Sequence, residues 1–329
     1  MICAKCSEPV APDFAFCENC GSALRPHGAP TAPAANEVDE VSDVQALEVQ
    51  ALDDIAAFAS HCGRQRADNQ DAAGLLHLPG AQVVLAVADG VSTACHSRRA
   101  ADLAVQQALD TIANGLQTHQ ADQAGPAALL KLAVTRAHAA ICKLPHDDPQ
   151  LAEPQTTLAV ALVQDGVVWY AWVGDSRVYL LQSEGSRQLS VDDSWLNDCL
   201  RQGVPFDEAT AAANAHCITQ CLGMRDAEPT IHVATAAMSP GSCLLLCSDG
   251  LWNYFAQAAD LWACVDSSVS DGTPLQCCAD LIDRANRAGG ADNVTVALYR
   301  HRQAQRMNFV LTRGQEPFFP DMRHVNMGG

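Results

Sequence analysis

The sequence predicts an α+β fold in which antiparallel sheets are covered by helices. Three observations carry that prediction. Two apolar runs, Thr157 to Val163 and Val167 to Val173, flank Gln164-Asp165-Gly166, the composition of a tight β-hairpin. Between the strand signals lie two successive stretches with apolar residues at helical spacing, ahead of that hairpin. Hairpins interleave with helical pairs, without the strict alternation that marks a repeating βαβ sheet.

Taken in order, Val83 to Ala88 is an apolar strand that runs into a loop at Asp89-Gly90. Ser97 is placed to cap a helix whose inner face is Ala100, Leu103, Ala104 and Ala108. A second helix follows Pro126, with Leu129, Leu130, Ala133, Val134, Ala137 and Ile141 on one face. After the hairpin, Gly174-Asp175-Ser176-Arg177 turns the chain into a strand at Val178 to Leu181. Leu244 to Cys247 is another buried strand, ending in Ser248-Asp249-Gly250. Leu275 to Ala288 reads as a helix, and Gly289-Gly290-Ala291-Asp292-Asn293 then opens a last strand, Val294 to Tyr299.

Composition divides the 329 residues into four regions. Residues 1–24 are dense in cysteine. Residues 25–54 begin with Pro26, Pro30 and Pro33 among alanines and turn acidic from Glu37, which reads as a linker, extended at first and with a frayed helix at its end. Residues 55–301 are long enough for one large domain, and 302–329 form a tail of unassigned role. The whole chain carries 38 acidic against 20 basic residues, a net charge of −18. A nucleic-acid or anionic-membrane binder needs a basic face, so neither is an expected partner. The first twenty residues lack the apolar core of a signal peptide, and no apolar run approaches a membrane span. The expectation is a cytoplasmic protein with reduced thiols, most of them small core residues.

Cys3, Cys6, Cys17 and Cys20 form two C-x2-C pairs. Doubled pairs of this spacing suit tetrahedral zinc and resemble a zinc ribbon; the alternative is a redox dithiol or incidental cysteines. Four protein ligands leave no open position, so the one Zn2+ is expected to be structural. Only Lys5, Arg25 and His27 bring positive charge here, which favours docking of a protein partner over nucleic acid.

Five aspartates stand at strand ends or turns: Asp71, Asp89, Asp175, Asp249 and Asp292. Singly, each reads as a turn or cap residue. Three of them end strongly apolar strands, and the ends of neighbouring strands converge. Crowded carboxylates repel one another unless cations neutralise them, and hard oxygen ligands without histidine favour magnesium or manganese.

The residues around these aspartates resemble a known family. Arg66 to Asp71 is similar to R-x-x-N-[EQ]-D, Val87 to Gly90 to V-A-D-G, and Gln155-Thr156-Thr157 to G-T-T. Gly174 to Arg177 reads G-D-S-R, Leu246 to Leu251 matches L-x-S-D-G-L, and Gly289 to Val296 matches G-G-x-D-N-[IV]-T-V. Asp192 to Trp195 through Thr219 to Gly223 resembles the flap segment of the same family. These are motifs of the type 2C metal-dependent serine/threonine protein phosphatases in their bacterial form, and they run in order from about Phe58 to Tyr299.

The resemblance implies an αββα sandwich, two antiparallel sheets face to face with helices outside, preceded here by the zinc ribbon. It implies two or three Mn2+ or Mg2+ ions. Asp89 would bridge two of them, Asp249 and Asp292 would complete the first, and the Gly90 carbonyl would bind the second with Asp71 holding its waters. Asp175 would help hold a third, weaker ion, and Arg66 would bind the substrate phosphate. The implied reaction is hydrolysis of phosphoserine and phosphothreonine in proteins by a hydroxide bridging two metals, which needs no nucleophilic cysteine. The sequence departs from the pattern at Val91 to His96, where the family has a small glycine pair, and at Gln155, which replaces a glycine. His96 is the candidate general acid there; its other reading is an ordinary surface histidine. An adaptor that binds phosphoproteins without turnover is the alternative function.

Overall fold

The computed structural model describes residues 47–118, 120–148, 150–212, 214–269 and 272–301. The amino-terminal cysteines, most of the linker and the tail lie outside the described residues.

The central strands form where both faces of a short apolar run can be buried. β1 (Glu48–Leu52) and β2 (Ala56–His61) make a hairpin, as do β3 (Asp71–Leu78) and β4 (Gln82–Asp89). Two helices follow, α1 (Ser97–Gln117) and α2 (Gln120–Ile141). α2 is broken at Gly125 (φ 80°), so its regular part starts after Pro126, where the sequence places it. β5 (Leu158–Gln164) and β6 (Val167–Val173) form the expected hairpin. Asp165 and Gly166 both have positive φ, 52° and 73°, the turn that matches the twist of paired strands.

Next come β7 (Arg177–Leu181), β8 (Arg187–Gln188), α3 (Trp195–Arg201), α4 (Phe206–Thr210) and β9 (His232–Ala237). β10 (Cys243–Cys247), α5 (Asp249–Trp252), α6 (Ala258–Val269), α7 (Pro274–Ala288) and β11 (Val294–Arg300) complete the chain. α7 starts on a capping box, Thr273 with Gln276, and ends at Gly289.

The strands make two sheets with every pairing antiparallel. One runs β1-β2-β11-β10-β7-β8 and the other β3-β4-β5-β6-β9. Three apolar cores hold four layers together. The first joins α1 and α2 to one sheet through Ile112, Leu130, Val160 and Leu162. The second, between the sheets, holds Leu85, Val163, Leu180 and Leu244. The third joins α6 and α7 to the other sheet through Leu245, Leu261, Leu281 and Val296. This is the αββα sandwich expected from the sequence.

Two local expectations are corrected. Residues 48–52, assigned to the linker with a frayed helix, form the edge strand β1. Glu48 is gripped by Arg98 of α1 through two bonds of 2.9 and 3.0 Å, and Gln50 bonds Leu75 across to the other sheet. These tertiary contacts override an exposed acidic sequence. The cap of α1 is His96, in left-handed backbone (φ 50°, ψ 32°), and Ser97 is the first helical residue. None of the eleven described cysteines is in a disulfide, and eight are buried, in line with small core residues. Among the described residues, no helix is long and apolar enough to cross a membrane.

Candidate active site

All five aspartates gather at one end of the sandwich, each delivered by the end of a strand. Asp71 opens β3 and Asp89 closes β4, directly opposite each other in the register. Asp175 lies in the turn that carries the chain from β6 in one sheet to β7 in the other. Asp249 begins α5 just past β10, and Asp292 stands two residues before β11. The cluster therefore draws on both sheets.

Backbone contacts require glycine beside two of these carboxylates. A Cβ on Gly90 would lie 2.7 Å from the carbonyl oxygens of Gln70 and Ser97, and one on Gly250 would collide with the Asn293 carbonyl. The glycines let the strand ends close on one another, which is what brings the carboxylates together.

The electrostatics follow from that crowding. Asp71 is fully buried, and burial pushes its pKa up to about 6. Its Oδ2 accepts a 2.7 Å bond from the Ser248 hydroxyl, while Oδ1 is buried with no hydrogen-bond partner among the described residues. Asp89 is pushed well above the ordinary carboxylate range by burial and by Asp71, Asp249, Asp292 and Asp175. Burial and Asp192 raise Asp175 to about 7, with Arg177 opposing. A buried carboxylate oxygen without a donor, among carboxylates that disfavour one another's charge, is the donor set a hard divalent cation neutralises.

Arg66 reaches this cluster from the β2–β3 loop, its guanidinium 2.8 Å from Asp292 Oδ2. His96 pairs through Nε2 with Asp147 Oδ1 at 2.8 Å. Several supporting residues lay unassigned inside the sequence motifs. The Thr157 hydroxyl accepts from the Asp89 amide and the Thr156 hydroxyl donates to the Asp89 carbonyl, at 3.0 and 2.8 Å. Asn293 accepts from the Gln70 amide and donates to the Cys62 and Asp68 carbonyls, all within 2.9 Å, knitting the Arg66 loop to the Asp292 loop. Asp193 lies in the flap segment. It is fully buried and accepts from the Gly174 amide at 3.0 Å and pairs with His232 at 2.8 Å, holding the turn that carries Asp175. Its one sequence signal was its place beside Asp192 in a motif.

Arg177 is nearly buried. It grips Asp192 with two nitrogens, at 3.0 and 2.7 Å, and lies 3.7 Å over the Trp252 ring. Trp252 in turn donates to the Asp175 carbonyl at 3.0 Å.

Carboxylates from both sheets converge at one end of the sandwich as a donor set fit for divalent cations. The protein phosphatase 2C family model matches residues 59–277, and the chain belongs to that family. A curated relative, the serine/threonine phosphatase stp of Listeria innocua, is 28% identical over 255 residues, covering 76% of this chain and 97% of the relative. Protein phosphatase PhpP of Streptococcus pneumoniae is 37% identical over 145 residues, 44% of this chain and 56% of the relative. Among solved structures, the catalytic domain of serine threonine protein phosphatase PstP in complex with two manganese ions is similar at a TM-score of 0.58 and 27% identity. That likeness covers 78% of this chain and all of that one.

Proposed function

We propose that this protein hydrolyses phosphoserine and phosphothreonine in proteins, with Asp71, Asp89, the Gly90 carbonyl, Asp249 and Asp292 holding two Mn2+ or Mg2+ ions. The observation that carries this reading is the convergence of five aspartates from both sheets at one end of the sandwich, with Asp71 Oδ1 buried and without a hydrogen-bond partner among the described residues. Asp175, on its own turn, is the protein ligand for a third, weaker ion. When bound, the cations neutralise phosphate charge and make a water acidic enough to attack phosphorus near neutral pH. The protein's own residues do the rest. Asn293 fixes the loop of Arg66 against the loop of Asp292, so the guanidinium is held at the carboxylate cluster. Arg66 binds the non-bridging oxygens of the phosphate, exchanging its Asp292 partner for the substrate dianion. Thr156 and Thr157 hold the backbone of Asp89 so that its carboxylate stays in register with Asp71.

The test is phosphate release from phosphothreonine and phosphotyrosine peptides by the chelator-treated chain, with and without added manganese. Manganese-dependent release from the phosphothreonine peptide is the expected result. No release with manganese demonstrably bound would favour a non-catalytic phosphoprotein adaptor.

Cys3, Cys6, Cys17 and Cys20 lie outside the described residues, and their spacing supports a structural zinc that displays a docking surface for a protein partner. One equivalent of zinc lost in Cys3→Ser is the corresponding measurement.

A further inference from the structure

The loop that departs from the family pattern, Val91 to His96, carries a second group of ligands. Cys95, His96 and Asp147 each offer one ligand atom, and all three atoms lie within 4.8 Å of one another. His96 Nε2 and Asp147 Oδ1 are 2.8 Å apart, and Cys95 is buried beneath them. Two consecutive side chains meet a third from a distant turn because His96 takes the left-handed conformation. That conformation is uncommon for a residue with a Cβ, and no side-chain bond to the helix end accounts for it. Asp147 pairs with His96 and groups with Cys95, not with the five aspartates.

We propose that Cys95, His96 and Asp147 bind a zinc ion, with solvent in the fourth position. A thiolate, an imidazole and a carboxylate are a borderline-soft set that favours zinc over the magnesium or manganese suited to the aspartate cluster. Tetrahedral zinc sets such ligand atoms about 3.3–3.6 Å apart. The pair now hydrogen-bonded at 2.8 Å has to open slightly, and the Cys95 sulfur, within 4.8 Å of both, has to close on them. On binding, the Cys95 thiol loses its proton to solvent and the imidazole ligates as the neutral ring.

The position gives the ion a task. Val91 donates to the Gln155 carbonyl, Ala152 to Thr93 and Cys95 to Ala152, at 2.9–3.0 Å, so the loop after Asp89 is laced to the segment before Thr156. Thr156 in turn holds the Asp89 carbonyl. Zinc between Cys95–His96 and Asp147 staples the two arms that frame Asp89 and Gly90. The proposal is independent of what the aspartate cluster hydrolyses.

The test compares zinc content of the full-length chain with that of Cys95→Ser and His96→Asn after loading at micromolar free zinc with thiols reduced. Zinc held elsewhere, at the amino-terminal cysteines or at carboxylates, is common to all three proteins. Each variant is expected to hold one equivalent less. The cobalt-loaded Cys95→Ser protein is expected to lose intensity in its sulfur-to-cobalt absorption relative to the parent. Cys95 is buried, so its substitution can disturb packing. His96→Asn replaces an exposed residue with one that tolerates left-handed backbone, and a folded His96→Asn protein that keeps the full zinc complement overturns the proposal.

Discussion

Replacing Asp89 by asparagine separates the two effects of its carboxylate. In the metal-free chain that carboxylate is a liability, since burial and four neighbouring aspartates oppose its charge. In the working enzyme it is the group on which both cations depend. Asp89→Asn is therefore expected to raise the thermal midpoint of the chelator-treated protein while lowering manganese-dependent phosphate release on the order of 10²-fold or more. A variant as active as the parent would remove Asp89 from the centre. The raised pKa values of Asp71 and Asp175 also set a pH dependence. Both lie above the ordinary value near 4, so the fold favours their neutral forms. That contribution is complete below about pH 4 and is lost as pH rises through about 6 and 7. The metal-free chain should thus lose stability as pH rises from about 4 to about 7, and Asp71→Asn should lose less, as read from thermal midpoints. At this scale the aspartates were legible because each stands in a motif beside a glycine or a strand end. Ser248, Asn293 and Asp193 were not, because their task is to hold backbone and other side chains, and spacing does not report a hydrogen bond across 177 residues such as Ser248 to Asp71.

Elements buried on both faces were the readable ones. β4, β5, β6 and β10 are nearly unbroken apolar runs, and the structure places them within a residue of the sequence boundaries. β1 and β9 are edge strands with mostly exposed or half-buried residues, and neither shows a pattern apart from the pairing that creates it. β3 contains Gly74, where a Cβ would press on Leu109 and Val105 of α1, so its composition reads as a loop although its packing needs the gap. Two substitutions test how the elements lock the site. Gly90→Ala drives a Cβ against backbone atoms of Gln70 and Ser97, and is expected to cost about 1–3 kcal/mol in a urea titration. Arg177→Met leaves Asp192 buried without its bidentate partner and removes the cation over Trp252. The expected loss is about 3 kcal/mol. Adding Asp192→Leu should recover most of it, because the penalty belongs to the stranded charge. No recovery in the double variant would mean that Arg177 acts through its packing on Trp252 instead.

For the molecule as a whole, the carboxylates tie the two sheets together only when something neutralises them. Asp71 and Asp89 belong to one sheet, Asp249 and Asp292 border strands of the other, and Asp175 lies on the chain between them. A net charge of −18 adds diffuse repulsion, and the aspartate end of the sandwich concentrates it. Divalent cations should therefore act as cross-links between the sheets as well as cofactors. A ligand at one hundred times its dissociation constant stabilises by about 2.7 kcal/mol. For a domain of this size each kilocalorie moves the thermal midpoint by about 2–4 °C, so saturating manganese should raise it by about 5–10 °C. The apolar cores contain no carboxylates, so the gain should vanish in Asp249→Asn, which removes a carboxylate at the sheet end and leaves all three cores intact. Calorimetry of both proteins, metal-free and manganese-saturated, reads this directly. An equal rise in Asp249→Asn would place the stabilising ion away from the aspartate cluster. A rise confined to the parent would show that the cation site and the closure of the sandwich are one piece of structure.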